Sequence, residues 1–273
     1  MLEPRGSDLR LTLDASQHNS MPIWSPDGSQ IVFASRRNNK WGLYETLSTH
    51  SGSEQPLFES DLPCAPMSWS PDSKRIVFWV QDPKDQGDLW ILTLDDKKAS
   101  KFIHRPFNET HAQISPDGKW VAYTDDSKDG RNEVYVQPFP SGGATYQIST
   151  SGGDWPRWGR DSKELFFHSI GTVNSPDVSA GTTAFRGPIY AASIDVKGDT
   201  LENGSPHDLM GFTIIDLPHN GLSYWPYAVS PDGQRFLVTQ FVPPATAAAA
   251  SQIGPDTFSG VTIAINWASA LKK

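Results

Sequence analysis

A four-residue phrase returns along this chain at nearly constant intervals. It reads Ser25-Pro26-Asp27-Gly28, Ser70-Pro71-Asp72-Ser73, Ser115-Pro116-Asp117-Gly118, the degenerate Gly159-Arg160-Asp161-Ser162, and Ser230-Pro231-Asp232-Gly233. The aspartates stand at 27, 72, 117, 161 and 232, so the first three intervals are 45, 45 and 44 residues. A period of about 40–45 residues, with strands rather than helices between the marks, is the pattern of a β-propeller. The expected fold is therefore all-β, with four-stranded antiparallel blades and five visible repeats. Propellers are scaffolds, so the fold alone assigns no activity.

Each phrase lies between two apolar runs. Ile23-Trp24, Ser68-Trp69, Gln113-Ile114, Arg157-Trp158 and Ala228-Val229 precede it; Ile31-Val32-Phe33, Ile76-Val77-Phe78, Val121-Ala122-Tyr123, Leu165-Phe166-Phe167 and Phe236-Leu237-Val238 follow. Short aromatic and β-branched runs bounded by turn formers read as strands. Between them proline sets φ, aspartate bonds its own backbone and glycine accepts positive φ, which makes a tight turn. Third strands follow at Trp41-Gly42-Leu43-Tyr44, Asp88-Leu89-Trp90-Ile91, Glu133-Val134-Tyr135-Val136 and Pro188-Ile189-Tyr190-Ala191. Shorter, more polar fourth strands at Pro56-Leu57-Phe58, Lys101-Phe102-Ile103 and Tyr146-Gln147-Ile148 suit outer blade edges, where unpaired backbone is best kept brief.

The whole chain, residues 1–273, reads as one propeller domain. Residues 9–13 resemble an outer strand without its blade, and residues 261–267 a third strand without its fourth. Pairing the two would close five blades; the alternative is a truncated ring, and the sequence leaves both open. The spacing breaks once, at 71 residues between Asp161 and Asp232, about 26 beyond the period. Gly-, Ser- and Pro-rich insertions at 171–187 and 211–221 are expected as loops, and the Ala-rich stretch 243–255 as a hairpin loop.

A net charge of −8 and a pI near 5.3 argue against a nucleic-acid partner, because no broad basic face is available to neutralise phosphates. No apolar run reaches 18 residues, so no membrane insertion by this chain is expected. The first ten residues have no apolar segment of signal-peptide type. The single cysteine, Cys64, excludes an internal disulfide and a cysteine-based zinc site. Composition leaves the compartment open.

Trp-Ser-Pro-Asp-Gly-x-x-Ile-x-Phe followed by a Leu-Tyr or Leu-Trp strand resembles the WD40-like repeat of the TolB type. The blocks VYVQPFP (134–140), WPRWGRDSKELFF (155–167) and VSPDGQRFL (229–237), with Ile265-Asn266-Trp267, resemble the C-terminal propeller region of large bacterial proteins that often carry an N-terminal Ser/Thr protein kinase domain. The resemblance implies an interaction module with a protein or peptide partner, in a periplasmic or extracytoplasmic setting, and brings no catalytic residue or cofactor. Neither kinase motifs nor a Gly-x-Ser-x-Gly nucleophile elbow occur here.

Several residues invite a chemical reading. The marker aspartates recur in every repeat, which is how a turn residue behaves and not a catalytic one. Asp125-Asp126-Ser127-Lys128-Asp129-Gly130 begins like a calcium loop, but Val136 stands where the ligating glutamate belongs. The histidines show no metal spacing. His18, His111 and His219 precede inner strands. At the channel mouth His111, Asp154, Trp155, Arg157, Tyr224 and Trp225 form the expected ligand or partner site. Arg157 replaces Ile23, Ser68, Gln113 and Ala228 at one repeat position, so it is expected to line the channel, paired with Asp154. The alternative function is a carbohydrate-active hydrolase, which needs non-repeated carboxylates such as Glu109, Asp154 and Asp216 to converge. A third reading is a propeller fragment with no function of its own.

Overall fold

The computed structural model describes residues 11–12, 18–49, 52–84, 86–169, 171–172, 185–198, 200–209, 214–216, 225–230, 233–239 and 261–265. Within them every element is a strand. Blade 1 is β1 (His18–Trp24), β2 (Gln30–Arg37), β3 (Lys40–Leu47) and β4 (Gln55–Ser60). Blade 2 is β5 (Cys64–Trp69), β6 (Arg75–Asp82), β7 (Gln86–Thr93) and β8 (Lys98–Ile103). Blade 3 is β9 (Glu109–Ile114), β10 (Trp120–Lys128), β11 (Arg131–Pro138) and β12 (Tyr146–Gln147). Each is a four-stranded antiparallel sheet in sequence order.

Blade 4 carries the insertions. Its inner strands are β13 (Asp154–Trp158) and β14 (Glu164–His168). The residues expected as loops pair instead at their described ends: β15 (Gly171–Thr172) and β16 (Phe185–Gly187) form a small sheet with β20 (Ile214–Asp216). Between them β17 (Ile189–Lys197) continues the blade, flanked by β18 (Thr200–Asn203) and β19 (His207–Asp208). Blade 5 is β21 (Tyr227–Val229), β22 (Arg235–Thr239) and β23 (Val261–Ile265). Of the expected closing strand only Leu11 and Thr12 are described. They are not in a strand, and they border a cleft with Pro22, Trp24, Ile31 and Phe33 on blade 1. The stretch 243–255 lies outside the described residues.

The core is a series of slabs between neighbouring blades. Val32, Leu43 and Leu57 meet Ile76, Phe78 and Leu92; Val77, Leu89 and Ile103 meet Val121 and Tyr123; Val134 and Ile148 meet Leu165 and Ile194; Phe166 and Ile189 meet Phe236 and Val238. Burying each such side chain is worth about 1.5–3 kcal/mol. Both faces of the middle strands are therefore apolar, which is why they read as continuous runs. Leu237 on the middle strand of blade 5 is exposed, as are Leu47, Val196 and, at 59%, Trp24 on the first strand of blade 1.

The repeated phrase has a mechanism at its serine. Ser115 Oγ donates to Asp117 Oδ1 (2.5 Å) and accepts the Trp120 N–H (2.9 Å). Ser25 and Ser70 make the same two bonds. Asp27 is held down at about 2 by the Ser25 hydroxyl first and the Ser29 N–H next, so it stays ionised as a turn acceptor. Gly28 and Gly118 sit at φ near 73° and 72°, where a side chain is strained. Gly159 lacks the hydroxyl and keeps only its backbone bonds with Glu164 and Ser162. Ser115→Ala is expected to lower unfolding free energy by about 1 kcal/mol in urea, since it orphans a buried N–H. An unchanged midpoint would remove the serine from this role.

Inner strands share a second device. Register slips between Ser20 and Ile23, between Pro66 and Ser68, on β9 opposite Ala122 and Thr124, and between Asp154 and Arg157. The bulge residues Met21, His111 and Trp155 have φ of 53°, 49° and 52°. They occupy one repeat position, shared with Pro66 and Pro226. Left-handed non-glycine residues cost on the order of 1–3 kcal/mol and persist where surrounding contacts enforce them. A bulge also re-aims its side chain. This is how His111 and Trp155 reach one place.

Candidate functional site

His111 and Trp155, on successive inner strands, meet at a 39° tilt with ring centroids 5.2 Å apart. Behind them Asp154, 3% exposed at its side chain, accepts four hydrogen bonds. They come from His111 Nδ1 (2.6 Å), Thr124 Oγ1 (2.7 Å), Asn132 Nδ2 (2.7 Å) and the Trp155 N–H (2.7 Å). Burial pushes this carboxyl up, but the attraction of His111 and the bonds from His111, Thr124 and Trp155 outweigh it and hold the group below the ordinary carboxylate range. Asp154 is the rivet that fixes the imidazole and the bulge.

Blade 5 completes the cluster. Trp225 meets His111 edge-on at 5.7 Å, and the Arg157 guanidinium stacks over the Trp225 ring at 3.6 Å. Tyr227 donates to the Trp155 carbonyl at 2.7 Å, and burial raises its phenol far enough to keep that proton. Five of the six expected residues thus converge, while Tyr224 lies outside the described residues. The expected Arg157–Asp154 pair is not formed. Asp154 is filled by its four donors, and Arg157 turns toward blade 5, on the same side as its cross-strand partner Phe166. Thr124, Asn132 and Tyr227 were not singled out, because nothing in their local sequence marks them as partners of a residue in another blade.

His111 also walls a cavity of about 670 Å³. His18, Trp41, Trp79, Gln81, Asn108, Thr110 and Asn132 line it too, so two of the three inner-strand histidines share one space. His219 lies outside the described residues. Cys64 borders the cavity, and burial pushes its thiol up to about 12, which removes it as a nucleophile.

The other buried carboxylates have separate engagements. Arg105 pairs with both Asp125 and Glu109, the latter at 3.4 Å. Burial raises Glu109 to about 8, against the pull of Arg105 and with help from Asp125. The ion pair is therefore spent mainly on Asp125, the nearer carboxylate. Asp126 accepts the Asn108 N–H at 2.8 Å. Among the described residues no group of three or more His, Cys, Asp or Glu is placed to hold a metal.

Antiparallel blades in series, four of the five with a Ser-Pro-Asp turn between their first two strands, define a β-propeller with its polar cluster at the inner strands. The chain belongs to the TolB β-propeller domain family, which matches residues 22–176. It is similar to the uncharacterized protein Atu1656 of Agrobacterium fabrum, 27% identical over 134 residues, 48% of this chain and 44% of that protein. It is also similar to the uncharacterized peptidase YuxL of Bacillus subtilis, 25% identical over 112 residues, 38% of this chain and 16% of the peptidase. The matched region spans less than half the length of either relative. TolB from Acinetobacter baumannii superimposes with a TM-score of 0.58 at 19% identity, covering 85% of this chain and 51% of that one. An oligogalacturonate lyase from Vibrio parahaemolyticus gives 0.56 at 12% identity, covering 94% and 65%. At such identities the likeness is one of fold.

Proposed function

We propose that this propeller is a non-catalytic module that holds a protein or peptide segment at its inner-strand mouth. The parent would be a larger bacterial signalling or envelope protein in which the propeller senses or scaffolds. The observation that carries the proposal is the convergence of His111, Trp155, Arg157 and Trp225 beside a cavity lined by aromatic and amide side chains. Aromatic anchors with a few directed polar groups are what peptide recognition uses. The blocks at 134–140 and 155–167 support a larger parent of kinase type.

Binding is favoured over glycoside hydrolysis by the state of the carboxylates. Asp154 is saturated with donors, and Glu109 is sealed beside Arg105, whereas an acid–base pair must face its sugar. The test is fluorescence anisotropy of the propeller against an array of short labelled peptides. Trp225→Ala is expected to weaken the best peptide about tenfold, the loss of one aromatic anchor. A variant that binds as tightly as wild type, or an array with no binder, would refute the mouth as the site.

A further inference from the structure

Arg157 departs from its repeat in kind as well as in size. Ser68 Oγ accepts the N–H of Ile114 (3.0 Å), and Gln113 Oε1 accepts the N–H of Trp158 (2.7 Å). Both side chains thus tie an inner strand to the next one by offering an acceptor. Ile23 at that position packs into the slab between blades 1 and 2. A guanidinium has five donors and no acceptor, so Arg157 can do neither job.

Among the described residues it also has no counter-charge. Arg157 stacks on Trp225, its Nε is buried without an acceptor, and burial lowers its pKa to about 10, which leaves it charged at neutral pH. Two residues back on the same strand, Trp155 Nε1 is likewise a buried donor without an acceptor. Arg157 is nevertheless partly reached by solvent, so a small group can approach its guanidinium.

We infer that Arg157 is the seat for a ligand carboxylate, supplied by the free C-terminus of a peptide. A carboxylate is acceptor-only and carries one negative charge, matching a single guanidinium and an indole that can only donate. Trp225 covers one face of the guanidinium, which leaves its edge for two parallel N–H···O bonds. A phosphate dianion would want a second cation, and the titratable group acting on Arg157 is Tyr227, a neutral phenol. A terminus can approach the guanidinium end-on, whereas an aspartate or glutamate side chain needs its backbone to run past. The amides of Gln81 and Asn108 across His111 suit the main chain of the preceding residues. This inference rests on the peptide-binding reading and adds the chemistry of its anchor.

The test follows the Arg157 Nε–H resonance in arginine-labelled wild-type protein by NMR. The probes are acetate, acetyl-diglycine with a free carboxylate, the same peptide amidated, glucuronate and inorganic phosphate. Saturable shifts are expected with acetate and the peptide acid, with the amide at least tenfold weaker. Arg157→Gln is expected to bind acid and amide alike. Equal response to acid and amide, or tighter binding of phosphate, would overturn the carboxylate seat while the module reading stands. Glucuronate binding above the peptide acid would overturn the peptide source. A shift with acetate while no peptide binds would sink both that source and the module reading.

Discussion

Asp154→Ala is expected to lower the unfolding free energy by about 3–5 kcal/mol, the range for removing one partner of a buried charged network. Four donors converge on this carboxylate, from His111, Thr124, Asn132 and the Trp155 N–H. The variant orphans all of them, and each buried group left unsatisfied costs about 1–3 kcal/mol before relaxation. It also releases His111 and Trp155 from a left-handed backbone they hold at a cost. Asp154→Asn should fall in between, because its amide meets Asn132 Nδ2 donor to donor. The pH dependence has a definite sign. The Asp154 carboxyl is held below its ordinary value, so its contribution is present above the unfolded pKa of about 3.9 and fades as pH falls through the folded value. Urea midpoints of wild type and Asp154→Asn should therefore converge below about pH 4. A gap that persists into acid would mean that the carboxylate charge is not what stabilises the cluster.

The propeller was legible in the sequence because its signals are local. A Ser-Pro-Asp turn needs only neighbouring residues, and a middle strand packed on both faces reads as a continuous apolar run. The site was legible in part, and for a different reason: it consists of departures from the repeat. His111, Trp155 and Arg157 stand where other blades carry Met21 or Pro66, and Ser68 or Gln113. The bulge that aims the first two was not legible, since a bulge is a mismatch between paired strands and leaves no mark on either alone. Thr124 and Asn132 escaped for the same reason. They sit on the second strand and at the start of the third strand of blade 3, and they reach Asp154 only because blades stack. The pairing of Arg157 with Asp154 was the natural reading of two opposite charges three residues apart. The bulge between them turns the carboxylate to blade 3 and the guanidinium to blade 5. The insertions of blade 4 read as loops because their strands are two or three residues long and find each other across about 12 and about 26 intervening residues.

Arg157→Met is expected to stabilise the protein by about 2 kcal/mol, within the range seen when apolar side chains replace poorly compensated buried charge. Two terms compete. Losing the cation–π contact with Trp225 costs about 0.5–2 kcal/mol, of which a thioether on the ring recovers part. Against this, a charge without a counter-ion among the described residues no longer has to be held largely out of water, where its own pKa is depressed to about 10. Solvent reaching Arg157 keeps the gain toward the lower end. A structural ion pair predicts the opposite: breaking one costs about 3–5 kcal/mol, so the sign alone decides. Guanidinium chloride unfolding at pH 7 reads it directly. A stabilised variant that no longer distinguishes peptide acid from amide would place Arg157 among residues kept for binding at the expense of the fold. A destabilised one would return Arg157 to the architecture of the ring, and the seat for a carboxylate would have to be sought elsewhere on the mouth.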